Sequence, residues 1–223
     1  MKGINTMNIL YLDIETAGDD KLSPELTESL KASVKPDARA KDSEASRQAK
    51  WMDMLEDAPL SSLMNRVIAI GCAIEDEDDR GKTVERMCLI NENEAVVLAD
   101  FKAIVNECTP TKIFTFNGYN FDLPNLRIAF MRHGLQFPIR NVNKYDTNYH
   151  IDLRQVLTNY DQYGKGTQSQ WAMRLGIPVK PSLFSGSDIP RLWTNRDIDA
   201  IKEKCLDDIS LLISLSKKVR LTL

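Results

Sequence analysis

One stretch limits what this chain can fold into: "NILYLDIETAG", residues 8–18. Asn8 to Leu12 reads as a buried β-strand, apolar and rich in strand formers. Asp13 and Glu15 follow at once. Residues i and i+2 of a strand point to the same face, so two like charges stand side by side where the strand should enter the core. Burial disfavours a charged carboxylate, and a neighbouring negative charge disfavours it further.

The rest of the chain suits a single domain, 1–223, with an elaboration. Its 223 residues can build a core that needs no staples. The formal net charge is −3, from 29 Lys+Arg against 32 Asp+Glu. That balance argues against a protein that coats nucleic acid non-specifically, and leaves room for a local basic groove. The four cysteines, at 72, 88, 108 and 205, make no CxxC pair and no zinc-type spacing with a histidine. They read as small core residues of a reducing compartment. No N-terminal run has the flanks of a signal peptide, and no apolar stretch reaches membrane-spanning length. A cytoplasmic protein away from membranes is expected.

Strands are expected over 7–13, over Arg66–Asp76 with "TVERMCLIN" as the second arm of a hairpin, and over Lys112–Asn117. The acidic cluster Glu75–Asp79 between the hairpin arms reads as an exposed turn rather than a metal site. Helices are expected over Glu94–Asn106, over Leu123–His133 before Gly134, and at "TQSQWAMRLGIPVK". The longest helix pattern is "NRDIDAIKEKCLDDISLLISLSKKV", where Ile198, Ile201, Cys205, Ile209, Leu212 and Leu215 hold one stripe. Residues 19–62 are polar, charged and helix-forming. They read as a surface insertion of one or two helices, with Ala49, Met52 and Leu55 at helical spacing. Arg140–Tyr163 is irregular apart from "HIDLRQVL". Strand–helix alternation from residue 84 onward fits an α/β fold with a mixed sheet.

Four acids stand against apolar runs: Asp13, Glu15, Asp122 and Asp208. Each has an ordinary reading too. Asp13 could cap a turn, Asp122 could be the N-cap of the helix it opens, and Asp208 could be a solvated helix residue like Asp207. As a set, converging carboxylates make sense around a hard divalent cation, Mg²⁺ or Mn²⁺. Two such ions about 4 Å apart serve phosphodiester hydrolysis.

On these residues the chain resembles the DEDD 3′–5′ exonucleases. "LDIET" is similar to their D-x-E motif, "FNGYNFDLPNL" to their second motif, and "KCLDDISLL" to the segment that ends in the last Asp. "NRVIAIGCAIED", "HIDLRQVLTNY" and "WAMRLGIPVK" fall in the order and spacing of the predicted exonucleases related to the proofreading domain of family B DNA polymerases. The resemblance runs from residue 8 to 217, apart from the 19–62 insertion. It implies a ribonuclease H-like fold, with a mixed central sheet of about five strands flanked by helices. It implies metal-ligand positions for Asp13, Glu15, Asp122 and Asp208, with Asp13 bridging two ions. Thr16 and its backbone would lie near the terminal nucleotide. Asn117 would hydrogen-bond near the substrate or the ligand loop. Phe121, between strand and helix, would pack beneath the site or, as a substrate-binding residue, stack on a base. A nucleic-acid substrate is implied, with single-stranded DNA expected ahead of RNA.

The sequence departs from the family pattern at one point. Tyrosine-type members carry Tyr four residues before the last Asp, and histidine-type members carry His five residues before it. Here those positions hold Lys204 and Glu203. The two histidines, His133 and His150, lack that spacing. They read as a helix C-terminal residue and a loop or packing residue. Lys204 lies one helical turn before Asp208 and faces the same way. It would contact the scissile phosphate or orient the water. Alternatively it would swing out to solvent, or pair with Asp207 or Asp208, and leave the enzyme slow.

The expected function is a metal-dependent 3′–5′ exonuclease that acts on single-stranded DNA or frayed 3′ ends and releases nucleoside 5′-monophosphates. The competing reading is a catalytically weak module that binds nucleic acid or recruits a polymerase or nuclease; an RNA exonuclease is a third. The basic and aromatic residues of 140–165 are the candidate strand-gripping surface.

Overall fold

The computed structural model of the chain describes residues 8–76, 82–143, 145, 147–161 and 163–221. Its strands are β1 (Asn8–Gly18), β2 (Asn65–Asp76), β3 (Lys82–Ile90), β4 (Lys112–Thr115) and β5 (His150–Asp152). They form one mixed sheet in the order β3-β2-β1-β4-β5. β1, β2 and β3 are antiparallel neighbours, whereas β4 runs parallel to β1 and β5 parallel to β4.

Helices cover both faces, which is why β1 begins as a continuous apolar run rather than an alternation. Leu10, Leu12 and Ile14 belong to the core under α3 (Glu94–Cys108) and α4 (Asp122–Arg132). Ile9 and Tyr11 belong to the opposite core, with α5 (Leu153–Leu157), α6 (Gln168–Arg174) and α8 (Ile198–Arg220). By the period of the strand, Asp13 and Glu15 continue that second row.

β1 extends beyond its expected end at residue 13, so both acids sit inside the strand. Pairing with β2 shifts between Glu15 and Thr16: Glu15 faces Ala69, and Thr16 faces Val67. Ile68 is the extra residue. Both Ile68 and Ala69 thereby join one cluster with Ala17 and with Ile189 and Leu192 of α7 (Ile189–Thr194), a short helix the periodicity does not announce. Bulges of this kind re-aim side chains beside functional sites.

Residues 19–62 do form helices, α1 (Pro24–Ser33) and α2 (Ser43–Glu56). Their buried face differs from the expected one. Trp51 packs with Leu30, Ala58 and Met64 in a satellite cluster, while Met52 and Leu55 are exposed. α2 touches the body along one edge, and one indole covers that contact.

Glu75 also departs from its reading as an exposed turn residue, since it is buried. Its carboxylate accepts hydrogen bonds from the Tyr11 hydroxyl at 2.7 Å and the Arg220 guanidinium at 2.8 Å. Residues 77–79 of that acidic cluster lie outside the described residues. Among the described residues, no helix is long and apolar enough to cross a membrane.

α8 crosses β1, β2 and β3, and Gly71 of β2 sets how closely. A Cβ at Gly71 would lie 2.8 Å from Cys205 Sγ and 2.9 Å from Ile209 Cγ1. Both side chains belong to a helix clamped on the sheet, so Gly71→Ala must lift α8. Overpacking of this kind costs about 1–3 kcal/mol. Urea unfolding of Gly71→Ala should show that loss, and an unchanged midpoint would mean that α8 yields freely.

Candidate active site

Three carboxylates converge where α8 crosses β1. Asp13 and Glu15 project from β1 and Asp208 from α8, and each offers an oxygen within 4.8 Å of the others. Among the described residues, this is the group of acids and thiols close enough to share a cation. Glu15 is buried, and Asp13 and Asp208 are partly so.

Asp122 opens α4 on the other side of β1 and is buried. Its Oδ1 accepts the Ile14 amide N–H at 3.0 Å. That amide lies between the two acids of β1, so α4 is tied to the motif itself. The four sequence-predicted acids therefore surround one strand. Asp13, Glu15 and Asp208 are in mutual ligand range, and Asp122 is anchored just behind them.

The turn before Asp122 is held by a residue the sequence reading missed. Asp152, at the end of β5, accepts the amides of Asn117 at 2.8 Å and Tyr119 at 3.0 Å, and also caps α5. Asn117 is left-handed, with φ 66°. Its side-chain oxygen accepts from Asn120 Nδ2 at 3.2 Å, inside the turn. Asp before "LRQVL" is readable as a helix cap. Its reach to the turn after β4 is not, because that contact is set by the parallel pairing of β4 and β5.

The electrostatics follow from burial. Desolvation, then repulsion from Asp208, raises the Asp13 carboxyl to about 7 against the opposing charge of Lys204. Desolvation and then Asp13 push Glu15 well up. Asp122 is raised by desolvation, then by Asp13 and Asp152. Desolvation raises Asp208 too, with Lys204 opposing. Lys204 does face the site, and its ammonium pairs with Asp208. Burial works against that ammonium, but Asp208, Glu15 and Asp13 outweigh it and its pKa rises. Lys204 is thus held as a cation. The neighbouring Asp207 instead pairs with Lys180, which also reaches Glu203.

Several other expected residues are engaged within the fold. Thr16 is buried, and its hydroxyl donates to the Pro59 carbonyl at 2.6 Å, where the insertion returns to the sheet. Asn65 Nδ2 donates to the same carbonyl at 2.9 Å and to Asn125 Oδ1 at 2.8 Å. Asn125 in turn donates to the Phe121 carbonyl at 2.7 Å. Phe121 packs against the α3/α4 core. His133 caps α4 and bonds Glu94 at 2.7 Å, while His150 is buried in β5 against the Thr115 hydroxyl at 2.9 Å.

In the 140–165 segment, Arg140 lies over the Tyr149 ring and Arg154 donates to the Gly164 carbonyl at 2.9 Å. Tyr145, Tyr163 and Lys165 are exposed. Lys144, Asp146 and Gln162 lie outside the described residues.

Known proteins bear on this geometry. A family model described as a predicted 3′–5′ exonuclease related to the exonuclease domain of PolB matches residues 59–211. Asp122, Lys204 and Asp208 fall inside the match, and Asp13 and Glu15 precede it. Among solved structures, the fold is similar to the family B DNA polymerase from the hyperthermophilic archaeon Pyrobaculum calidifontis, at a TM-score of 0.60 and 16% identity. That likeness covers 96% of this chain and 24% of the polymerase chain. No curated protein matches the sequence. The five-stranded mixed sheet with its flanking helices is a ribonuclease H-like fold, and the chain belongs to the family of predicted 3′–5′ exonucleases related to the PolB exonuclease domain.

Proposed function

We propose that this chain is a metal-dependent 3′–5′ exonuclease that hydrolyses DNA from single-stranded or frayed 3′ ends and releases nucleoside 5′-monophosphates. The observation that carries the reading is the convergence of Asp13, Glu15 and Asp208, with Asp122 behind them. Three carboxylates raised together by burial and mutual repulsion are poorly placed for folding alone, and an all-oxygen donor set suits Mg²⁺ or Mn²⁺. Asp13, Glu15, Asp122 and Asp208 would hold two such ions, which when bound supply an acidified water and charge stabilisation at the phosphate.

The protein's own groups then have distinct tasks. The carboxylates hold position through β1, α4 and α8. In the metal-free fold those carboxylates hold Lys204 as a cation, which suits it to donate rather than to act as the base. With substrate present it would leave Asp208 and contact the scissile phosphate. The Thr16 hydroxyl is engaged by Pro59. The backbone of β1 around Thr16, rather than its side chain, would therefore meet the terminal nucleotide. Asn117 supports the turn that delivers Asp122, and Phe121 supports it from below.

The Lys204–Asp208 pair also favours a second reading, a weakly active module that binds nucleic acid, because the ammonium competes with a metal ion for Asp208. Lys204→Met separates the two. A catalytic role for Lys204 predicts tighter Mn²⁺ uptake by calorimetry together with a turnover lowered about 100-fold or more. Tighter uptake with faster turnover would instead mark Lys204 as an inhibitory plug.

The reading itself is tested on 5′-labelled single-stranded DNA, duplex DNA and RNA with Mg²⁺ or Mn²⁺. Asp13→Ala should lower the rate at least about 1,000-fold, roughly 4 kcal/mol of transition-state stabilisation. A chelated or Asp13→Ala protein that still shortens the label at the wild-type rate would remove the assignment. Faster shortening of RNA than of DNA would reassign the substrate.

A pH dependence follows from Asp13. Its folded-state pKa of about 7 lies above the ordinary value of 3.8, so the metal-free fold binds protons more tightly than the unfolded chain. The stability this contributes is complete below the ordinary value and is lost as pH rises through about 7. The melting temperature of metal-free protein should therefore fall across that window, Asp13→Asn should flatten the fall, and Mn²⁺ should restore stability at pH 8. A wild-type slope retained by Asp13→Asn would place the titration elsewhere.

A further inference from the structure

Cys88 of β3 stands directly opposite Gly71 of β2. Opposed residues carry their Cβ positions about 4.5–5.5 Å apart on one face of the sheet. On that face, the Cβ that Gly71 lacks would lie 2.8 Å from Cys205 Sγ of α8. The glycine thus leaves a gap toward which both Cys88 and Cys205 turn their side chains. Cys205 is fully buried and Cys88 is half-buried, so solvent reaches Cys88 first. The nearby Cys205 thiol draws the Cys88 thiol below its usual range; burial opposes this and the charge of Lys202 assists. Cys72 and Cys108, by contrast, are raised by burial. The thiolate is the reactive form of cysteine, so Cys88 is the favoured nucleophile of the four.

We propose that Cys88 and Cys205 form a peroxide-sensitive thiol pair that closes to a disulfide between β3 and α8 and displaces Lys204 and Asp208. The Cys88 thiolate attacks one oxygen of a hydroperoxide and the O–O bond breaks. Cys88 becomes a sulfenic acid, and the departing oxygen leaves as water or an alcohol after taking a proton. The Cys205 thiol then attacks the sulfenic sulfur; the S–S bond forms, the S–O bond breaks, and water leaves with the Cys205 proton. Two thiols are oxidised by two electrons, and the peroxide is reduced by the same two.

A disulfide holds its sulfurs at about 2.05 Å, far closer than two separate thiols pack. Closure must draw α8 toward β3. Lys204 precedes Cys205 directly and Asp208 lies one turn beyond it, so the displacement acts on the turn that faces β1. The thiol chemistry stands by itself; its effect on the carboxylates rests on the metal-binding reading proposed above.

The test treats the reduced full chain with hydrogen peroxide, blocks the remaining thiols by alkylation and measures intact and peptide masses. The expected result is two fewer alkylations, a peptide joining Cys88 to Cys205, and reversal by dithiothreitol. Cys88→Ser should lose the joined peptide. Mn²⁺ uptake measured by calorimetry should weaken about tenfold on oxidation. Absence of the joined peptide, or a link through Cys72 or Cys108, would overturn the pair. A joined peptide with unchanged Mn²⁺ affinity would overturn the displacement of the site. If the reduced protein takes up no Mn²⁺ at all, the metal reading falls while the mass result still decides the thiol pairing.

Discussion

The docking of α8 across the sheet is the contact on which the site depends. Ile201, Cys205, Ile209 and Leu212 form an almost fully buried stripe on the sheet, and Gly71 lets that stripe approach closely. Near the far end of the helix, Arg220 and Ser216 join Tyr11 and Glu75 in a buried polar knot. Apolar packing along the middle and an ionic latch at the end fix the rotation of α8. Asp208 is thereby carried to Asp13 and Glu15 by packing. No attraction between the carboxylates brings it there, because they repel one another.

That arrangement leaves a local imbalance of charge. One ammonium, Lys204, faces three carboxylates that crowd within ligand range. Protons and cations are the two ways to relieve it, and they compete for the same oxygens. Asp122 is differently placed, since the Ile14 amide already satisfies one of its oxygens. Conflicts between local chemistry and the fold are expected where a protein does chemistry, and here the conflict is confined to a few side chains on β1 and α8.

What could be read in the sequence follows from which contacts are local. The hairpin, α3, α4 and α8 carry their own periodicity, and all are present near the expected bounds. β1 continues through both acids because the β2 pairing persists to Gly18, which a run of apolar residues cannot reveal. In α2 the spacing of Ala49, Met52 and Leu55 is real but unused, since a single indole does the covering. Glu75 looks like part of an exposed acidic turn until Tyr11 and Arg220 arrive from distant positions. That Asp13, Glu15, Asp208 and Lys204 come together was legible through motif spacing. Asp152 was not, because its partners Asn117 and Tyr119 reach it only across the β4–β5 pairing.

The return of the insertion to the sheet bears on how separable that insertion is. Its helices contribute a satellite cluster and leave the two main cores untouched. Its last residues are another matter. The Pro59 carbonyl collects Thr16 and Asn65, and Asn65 passes the connection through Asn125 to the residue before Asp122. The modular boundary therefore lies inside the insertion, after α2 and before Pro59. A lineage could lengthen, shorten or replace α1 and α2 as an interchangeable part, while the proline turn belongs to the inherited frame around the carboxylates.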